Sequence, residues 1–263
     1  MTCITNNATM KKHILDLRLS ENTQLHSAYA LMKFRPVEGT LPEMLPGQFA
    51  EVRISDSTNT YLRRPISIHN VIDNELWLLV RRAGEGTCKL ASYAEGTIVN
   101  MVLPLGNTFT LPDNKEQRPL LIGGGVGVAP LLYWGKELAA QGMRPAFLLG
   151  ARSANDLLQL AEFEAVGDVY LSTEDGSMGE KGFVTQHSIL GELFSYIYTC
   201  GPKPMMQAVA RFAREHNTPC EVSLENLMAC GVGACLCCVE DTVEGHVCVC
   251  KEGPIFNIDR LKW

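Results

Sequence analysis

Six of the ten cysteines in this 263-residue chain lie between Glu225 and Cys250, in ENLMACGVGACLCCVEDTVEGHVCVC. Disulfides, a structural zinc site or an iron–sulfur cluster could each account for such crowding. The N-terminal MTCITNNATMKKHILDLRL has no long apolar stretch and no small-residue cleavage site. It predicts no secretory signal and a cytoplasmic, reducing setting, where structural disulfides are uncommon. Zinc sites generally use two short chelate loops, and Cys248-x-Cys250 is shorter than usual for the second. The spacing Cys230-x4-Cys235-x2-Cys238, with Cys250 further on, is the plant-type [2Fe–2S] pattern. Gly231, Gly233 and Ala234 suit a loop whose backbone N–H groups approach sulfur. Cys237 and Cys248 are surplus and read as small, inert residues. On the residues alone, Cys248 and Cys250 both remain open as the fourth ligand. Cys3, Cys88, Cys200 and Cys220 are too scattered for a second cluster.

A second chemistry-bearing stretch is LLIGGGVGVAPLLYW, residues 120–134. Gly123, Gly124, Gly125 and Gly127 separate an apolar strand from a helical pattern with Pro130 in its first turn. Glycines there let a backbone approach a pyrophosphate at a helix start, although tight strand–helix turns use glycine too. Cys200, Gly201 and Pro202 follow a later strand and stand where ligands bind in open α/β sheets; a plain turn explains them equally well. Two basic pairs complete the set. Arg63 and Arg64 precede PISIHN, with Ser67 as a further donor, and Arg81 and Arg82 precede Gly84, Gly86 and Thr87. Arginine forks suit phosphates. Charged strand edges also carry such pairs, and by spacing alone that reading is the stronger.

The elements that must carry these residues fall in three zones. To about residue 112, short β-like runs (49–55, 64–70, 76–82 and 97–106) are punctuated by Gly and Pro, which predicts a small antiparallel barrel. From 113 to 219, strands (119–123, 146–152, 168–173, 195–202) alternate with helical patterns (130–142, 156–166, 204–216), which predicts a parallel α/β sheet. The stretch 220–263 holds the cysteines and reads as a small third domain. The expected fold is therefore α+β and multidomain. Apolar residues make up 46% of the chain, charged residues 20%, and the net charge is −6. This balance builds real cores and disfavours nucleic acid as a partner. No window approaches the length of a membrane span. Met10, followed by Lys11 and Lys12, reads as an alternative start after a short leader.

In combination, these motifs resemble the ferredoxin-reductase superfamily, in which a flavin-binding barrel precedes an NAD(P)-binding α/β domain. Arg64-Pro65-Ile66-Ser67 matches its barrel motif, with Ile66 where the family usually has tyrosine, so an aromatic contact with flavin is not expected there. Leu79-Val80-Arg81 with Gly86-Thr87 matches a second flavin element. Gly123 to Pro130 matches GGGxGxAP, and Cys200-Gly201-Pro202 matches CGP. The order RRPISI…GEGT…GGGVGVAPLL…EDGS…KGFVT…CGPKPMM…ENLMACGVGACLCCV…CKEGPIF, from about Lys11 to the C-terminus, resembles the electron-transfer subunits of class 1B dihydroorotate dehydrogenases. Related transhydrogenase and sulfide dehydrogenase subunits often carry aspartate at the first cluster position, where Cys230 stands here. The resemblance implies FAD, one [2Fe–2S] cluster and NAD, and favours Cys250 as the fourth ligand. It also implies an FMN-containing catalytic subunit as partner, in a heterotetramer with two copies of each chain. Electrons would run from dihydroorotate through FMN, cluster and FAD to NAD+, within pyrimidine biosynthesis. The alternative is a subunit of an NAD(P)H–ferredoxin-type reductase or of a sulfide dehydrogenase or transhydrogenase. Arg152 and Ser153 keep NADP open on the residues; the resemblance favours NAD.

Overall fold

The computed structural model describes residues 11–55, 57, 59–112 and 118–263. Cys3, Met10 and the expected boundary at 112/113 lie wholly or partly outside this set. The first unit comprises β1 (His13–His26), β2 (Tyr29–Pro36), β3 (Phe49–Val52), β4 (Arg64–Ile72), β5 (Glu75–Arg81), the short helix α1 (Glu85–Leu90) and β6 (Ile98–Leu105). The strands close into an antiparallel barrel in the order β1-β2-β5-β4-β3-β6. Leu17, Met32, Phe34, Ile68, Leu78 and Met101 fill it. Four strands match the expected apolar runs. β1 and β2 add to them; β1 buries only alternate residues such as Leu17 and Leu19 among charged neighbours, so no apolar run marks it.

The second unit is built from β7 (Leu120–Gly124), α2 (Val128–Ala140), β8 (Ala146–Ala151), α3 (Leu160–Glu164), β9 (Asp168–Thr173), β10 (Glu180–Lys181), β11 (Ile197–Cys200) and α4 (Lys203–Glu215). β12 (Cys220–Ser223) follows, then the hairpin β13 (Val239–Thr242) and β14 (Gly245–Cys248), the single turn α5 (Val249–Glu252), and β15 (Ile255–Asn257). One sheet runs β10-β9-β8-β7-β11-β12-β15, parallel except for β15. The helix expected over 156–166 shrinks to α3, because Gln159 stands in the left-handed region at φ 53° and breaks it from the 3₁₀ turn at 154–156. β12 and β15 extend the sheet, although the third domain was expected to begin at Cys220. What stands apart from the sheet is the excursion between them, residues 224–254.

Residues 107–110 stitch the units together. Asn107 pairs with Ile255 through both its amide nitrogen and its oxygen, each at 2.9 Å. Thr110 donates from its backbone N–H and its hydroxyl to the two carboxylate oxygens of Glu221. Phe109 packs on Trp134 and Tyr198. Among the described residues no helix is long and apolar enough to cross a membrane.

Candidate redox and nucleotide site

The barrel opens where the flavin motif was expected. β4 and β5 pair from Ile68↔Leu78 to Ile72↔Glu75, and no partners are formed between Arg64–Ser67 and Leu79–Arg81. The two stretches therefore flank one gap. Leu79 and Val80 are buried in the cores on either side, so toward the gap they offer backbone. Ile66 likewise packs against the barrel core. At the end of the gap, a Cβ on Gly86 would lie 2.7 Å from Arg64 Nε. Its absence gives the guanidinium a cradle beside the start of α1. Thr87 Oγ1 accepts from the N–H groups of Ala83 and Gly84 and fixes that turn. Arg63, by contrast, is structural: it donates to the carbonyls of Glu51 and Asn100. An unpaired strand edge beside an arginine fork, engaged only through Nη1 with the carbonyls of Leu62 and Arg63, suits a flavin and its phosphates. Arg64→Ala is expected to weaken FAD retention by roughly 10- to 150-fold, the loss of a charge-assisted contact worth about 1.5–3 kcal/mol. Flavin released on dilution measures it, and unchanged affinity would count against this site.

The second site is a crevice of about 550 Å³ at the carboxyl ends of the parallel strands. Gly124, Gly125 and Pro202 line it, with Gly150 and Arg152 from β8 and its loop. Arg81 and Tyr29 reach it from the barrel. The remaining glycines act beneath this surface. A Cβ on Gly123 would strike Val128 and Leu131 of α2. One on Gly127 would lie 2.5 Å from Gly201 Cα and meet the Cys200 carbonyl. Gly123 and Gly127 thus let α2 and its 3₁₀ entry sit hard against β7 and β11, so that the loop backbone reaches the crevice. Gly201 lines a smaller pocket alongside, with Lys203 and Glu225. The Cys200 thiol is buried, which pushes its pKa well up, and it donates toward Glu225 Oε1 at 3.8 Å. Crevices at this end of an open sheet are where dinucleotides bind.

The third site is the thiol loop. Gly231 and Gly233 stand at φ 67° and 81°, the left-handed turns that wrap the loop. Val232 N donates to Cys230 Sγ at 3.4 Å, Gly233 N to Cys250 Sγ at 3.1 Å, and Cys250 N to Cys238 Sγ at 3.3 Å. Cys250 lies against Cys238, to whose Sγ its amide donates, and Cys230 lies beside Cys235. The Val232 amide leads in lowering Cys230 to about 6, while burial pushes Cys250 up to about 12. Among the described residues no three His, Cys, Asp or Glu side chains gather as a single metal ion needs. Two pairs of thiols fit a two-iron cluster, which takes two thiolates on each iron. Cys248 is half-buried, its Sγ 3.9 Å from the Gly233 carbonyl, and Cys237 is exposed. Cys238 and Cys250 are in the core; Cys235 faces out, among exposed Val232 and Leu236.

Comparison with known proteins agrees with this layout. Residues 225–262 match the iron–sulfur cluster binding domain of dihydroorotate dehydrogenase B, and residues 121–211 match the oxidoreductase NAD-binding domain. The dihydroorotate dehydrogenase B (NAD(+)) electron transfer subunit of Lysinibacillus sphaericus is 42% identical, over 81% of this chain and 86% of its own. That of Shouchella clausii is 39% identical, over 86% and 90%. The chain belongs to this family of electron transfer subunits. Among solved structures, an NADH-dependent reduced ferredoxin–NADP oxidoreductase that carries out flavin-based electron bifurcation superposes with a TM-score of 0.84 at 27% identity, over 94% of this chain and 90% of that one. The ferredoxin reductase of carbazole 1,9a-dioxygenase, at 20% identity and a TM-score of 0.69, shares the fold.

The crevice and its flank also hold residues that the sequence motifs did not point to. Tyr29 enters the crevice from a barrel strand far away in sequence. Phe183 lines it as an apolar side chain 61% exposed. Glu225 meets Cys200 only because β11 and β12 are neighbours. Nothing local marks these three. A carboxylate and two aromatic residues of ordinary context acquire their place from strand order.

Proposed function

We propose that this chain is the electron-transfer half of an NAD-linked dihydroorotate dehydrogenase, in pyrimidine biosynthesis. The carrying observation is the thiol loop, packed against the same core as the nucleotide sheet and the flavin-side strand β3. When bound, [2Fe–2S] supplies one-electron steps, FAD joins these to hydride transfer, and NAD accepts the hydride. Cys230, Cys235, Cys238 and Cys250 hold the cluster. Arg64 and Ser67, with Pro65, Ile66, Leu79, Val80, Arg81, Gly86 and Thr87 around them, hold FAD in the gap between β4 and β5. Gly123, Gly124, Gly125 and Gly127, with Cys200, Gly201 and Pro202, form the NAD crevice. The barrel through residue 112, the α/β sheet from 113 and the cysteine-bearing stretch after 219 divide the three tasks, with β12 and β15 working as sheet. A cytoplasmic location fits clustered cysteines that serve a metal site.

The partner is an FMN-bearing catalytic subunit, two copies of each chain forming the assembly. It docks on the exposed side of the thiol loop. Leu227, Val232 and Leu236 are exposed at 86%, 42% and 66%, whereas Met228 is core. Exposed apolar residues grouped around reactive thiols mark a contact surface. Mixing the two subunits is expected to give NAD+ reduction by dihydroorotate that neither gives alone. Val232→Glu is expected to weaken association at least about tenfold, because an unpaired charge is buried at the contact. The variant alone keeps its NADH–dye activity. Undiminished co-elution of the variant with the catalytic subunit on gel filtration refutes the docking surface, and no NAD+ reduction by the unmodified mixture refutes the function.

A further inference from the structure

Strand β3 carries a residue to which the relay assigns no task. Glu51 is 0% exposed, and neither carboxylate oxygen has a hydrogen-bond partner. Burying such a group unpaired is costly, and an apolar side chain of the same size would fill the place at no such cost. On one side β3 pairs with the flavin motif, Glu51 opposite Pro65; on the other it pairs with β6, Glu51 opposite Val102. Phe49, on the same face, packs into the core that contains Cys238 and Cys250. That face of β3 looks out of the barrel at the thiol loop. The contact is close: a Cβ on Gly231 would lie 2.7 Å from Glu51 Cγ and 3.3 Å from its Oε1. Gly231 also stands at φ 67°, so the loop backbone rests on the carboxyl one residue from Cys230.

The neighbouring cations do not pair with it. Arg63 spends its guanidinium on the carbonyls of Glu51 and Asn100 and on the Asn100 side chain. Arg64 donates to the carbonyls of Leu62 and Arg63. Burial pushes the Glu51 carboxyl up to about 7; Arg63 and Arg64 oppose the rise, and Cys230 adds to it.

We infer that Glu51 is a potential-setting residue: its charge, held dry beneath the thiol loop and beside the flavin strand, lowers the reduction potential of the cluster. The inference rests on the proposed reading of the loop as the cluster site. A fixed negative charge in a medium of low dielectric opposes the arrival of an electron nearby. Net charge and burial are among the levers that set iron–sulfur potentials. A relay that ends on nicotinamide needs such a lever, because a cluster that holds its electron too tightly stops the flow short of the flavin.

The test is an EPR-monitored redox titration of the full-length protein with its cluster and flavin, at about pH 8.5, far above the ordinary carboxyl range. Glu51→Gln and Glu51→Met are expected to raise the cluster midpoint, and Glu51→Asp, which keeps the charge, to leave it near that of the parent protein. Glu51→Met guards against misfolding: replacing the unpaired carboxyl is expected to raise the melting temperature even as the potential rises. A midpoint unchanged in Glu51→Gln and Glu51→Met overturns the inference. So does an equal shift in Glu51→Asp, which would make the effect one of packing. Iron analysis separates the two levels: a parent protein that takes up no iron and sulfide overturns the cluster reading itself, whatever the Glu51 variants do.

Discussion

Cys250→Ser is expected to lose the cluster, and Cys248→Ser to keep it. The two thiols are separated only by Val249, Cys248 ending β14 and Cys250 lying in the turn α5, and they face differently. Cys250 is 1% exposed, accepts from the Gly233 amide and pairs with Cys238. Cys248, half-buried, donates to the Gly233 carbonyl at 3.9 Å, an oxygen that repels a thiolate. Serine in a ligand position removes a soft donor, and even changes around the ligands cost about 10- to 100-fold in metal affinity. Iron and acid-labile sulfide per chain, together with the visible spectrum, report the outcome. Loss of iron in Cys248→Ser with retention in Cys250→Ser would reverse the assignment. Cys230→Ser, Cys235→Ser and Cys238→Ser should behave as Cys250→Ser does. In each case flavin content should stay close to that of the parent protein, because the flavin gap lies on β4 and β5.

Gly127→Val is expected to cut NADH use on the order of 100-fold while leaving flavin and iron in place. Gly127 has an ordinary helical φ of −63°, so conformational freedom is not the issue. Space is: the Cβ position is already taken by the Cys200–Gly201 backbone. A branched side chain must push the glycine loop away from β11, at a cost of about 1–3 kcal/mol of overpacking. A shift of about 1 Å in groups that orient a reactant commonly costs about 100-fold. The loss should appear in the Michaelis constant for NADH and in the rate of flavin bleaching by NADH. A variant that loses flavin but uses NADH normally would place the nucleotide elsewhere.

What the sequence made legible was local, and what it hid was made by strand order. The thiol spacing, the glycine loop and the arginine motif are each contiguous, and their chemistry is written in residue type and interval. The gap between β4 and β5 is not: Arg64–Ser67 and Leu79–Arg81 face each other only because the ladder stops at Ile68↔Leu78. Glu51 stands in FAEVRIS, an unremarked charge in an apolar run, and nothing short of the fold shows that the thiol loop covers it. Strand β1 escaped notice because an alternating, half-charged strand carries a weak apolar signal, and β2 because its apolar run, Tyr29–Met32, is too short to set a period. The short β12 and β15 have too few residues to show a period at all. They were read with the cysteines they flank rather than with the sheet they join.

The excursion 224–254 leaves the sheet at the end of β12 and returns at the start of β15. Ser223 and Ile255 face each other across the antiparallel pair, and Leu224 N donates to the Pro254 carbonyl at 2.9 Å. In architectural terms the cysteine-bearing segment is a cassette set into the mouth of a β-hairpin. Its neck is fixed by the β12–β15 pairing of the scaffold and by the Leu224–Pro254 hydrogen bond across its own ends. A short turn could bridge the same two residues and leave the seven-stranded sheet closed. The electron-relay module thus joins the reductase framework at one point of the chain, while its Met228, Cys238 and Cys250 share the core of the sheet and of the barrel strand β3.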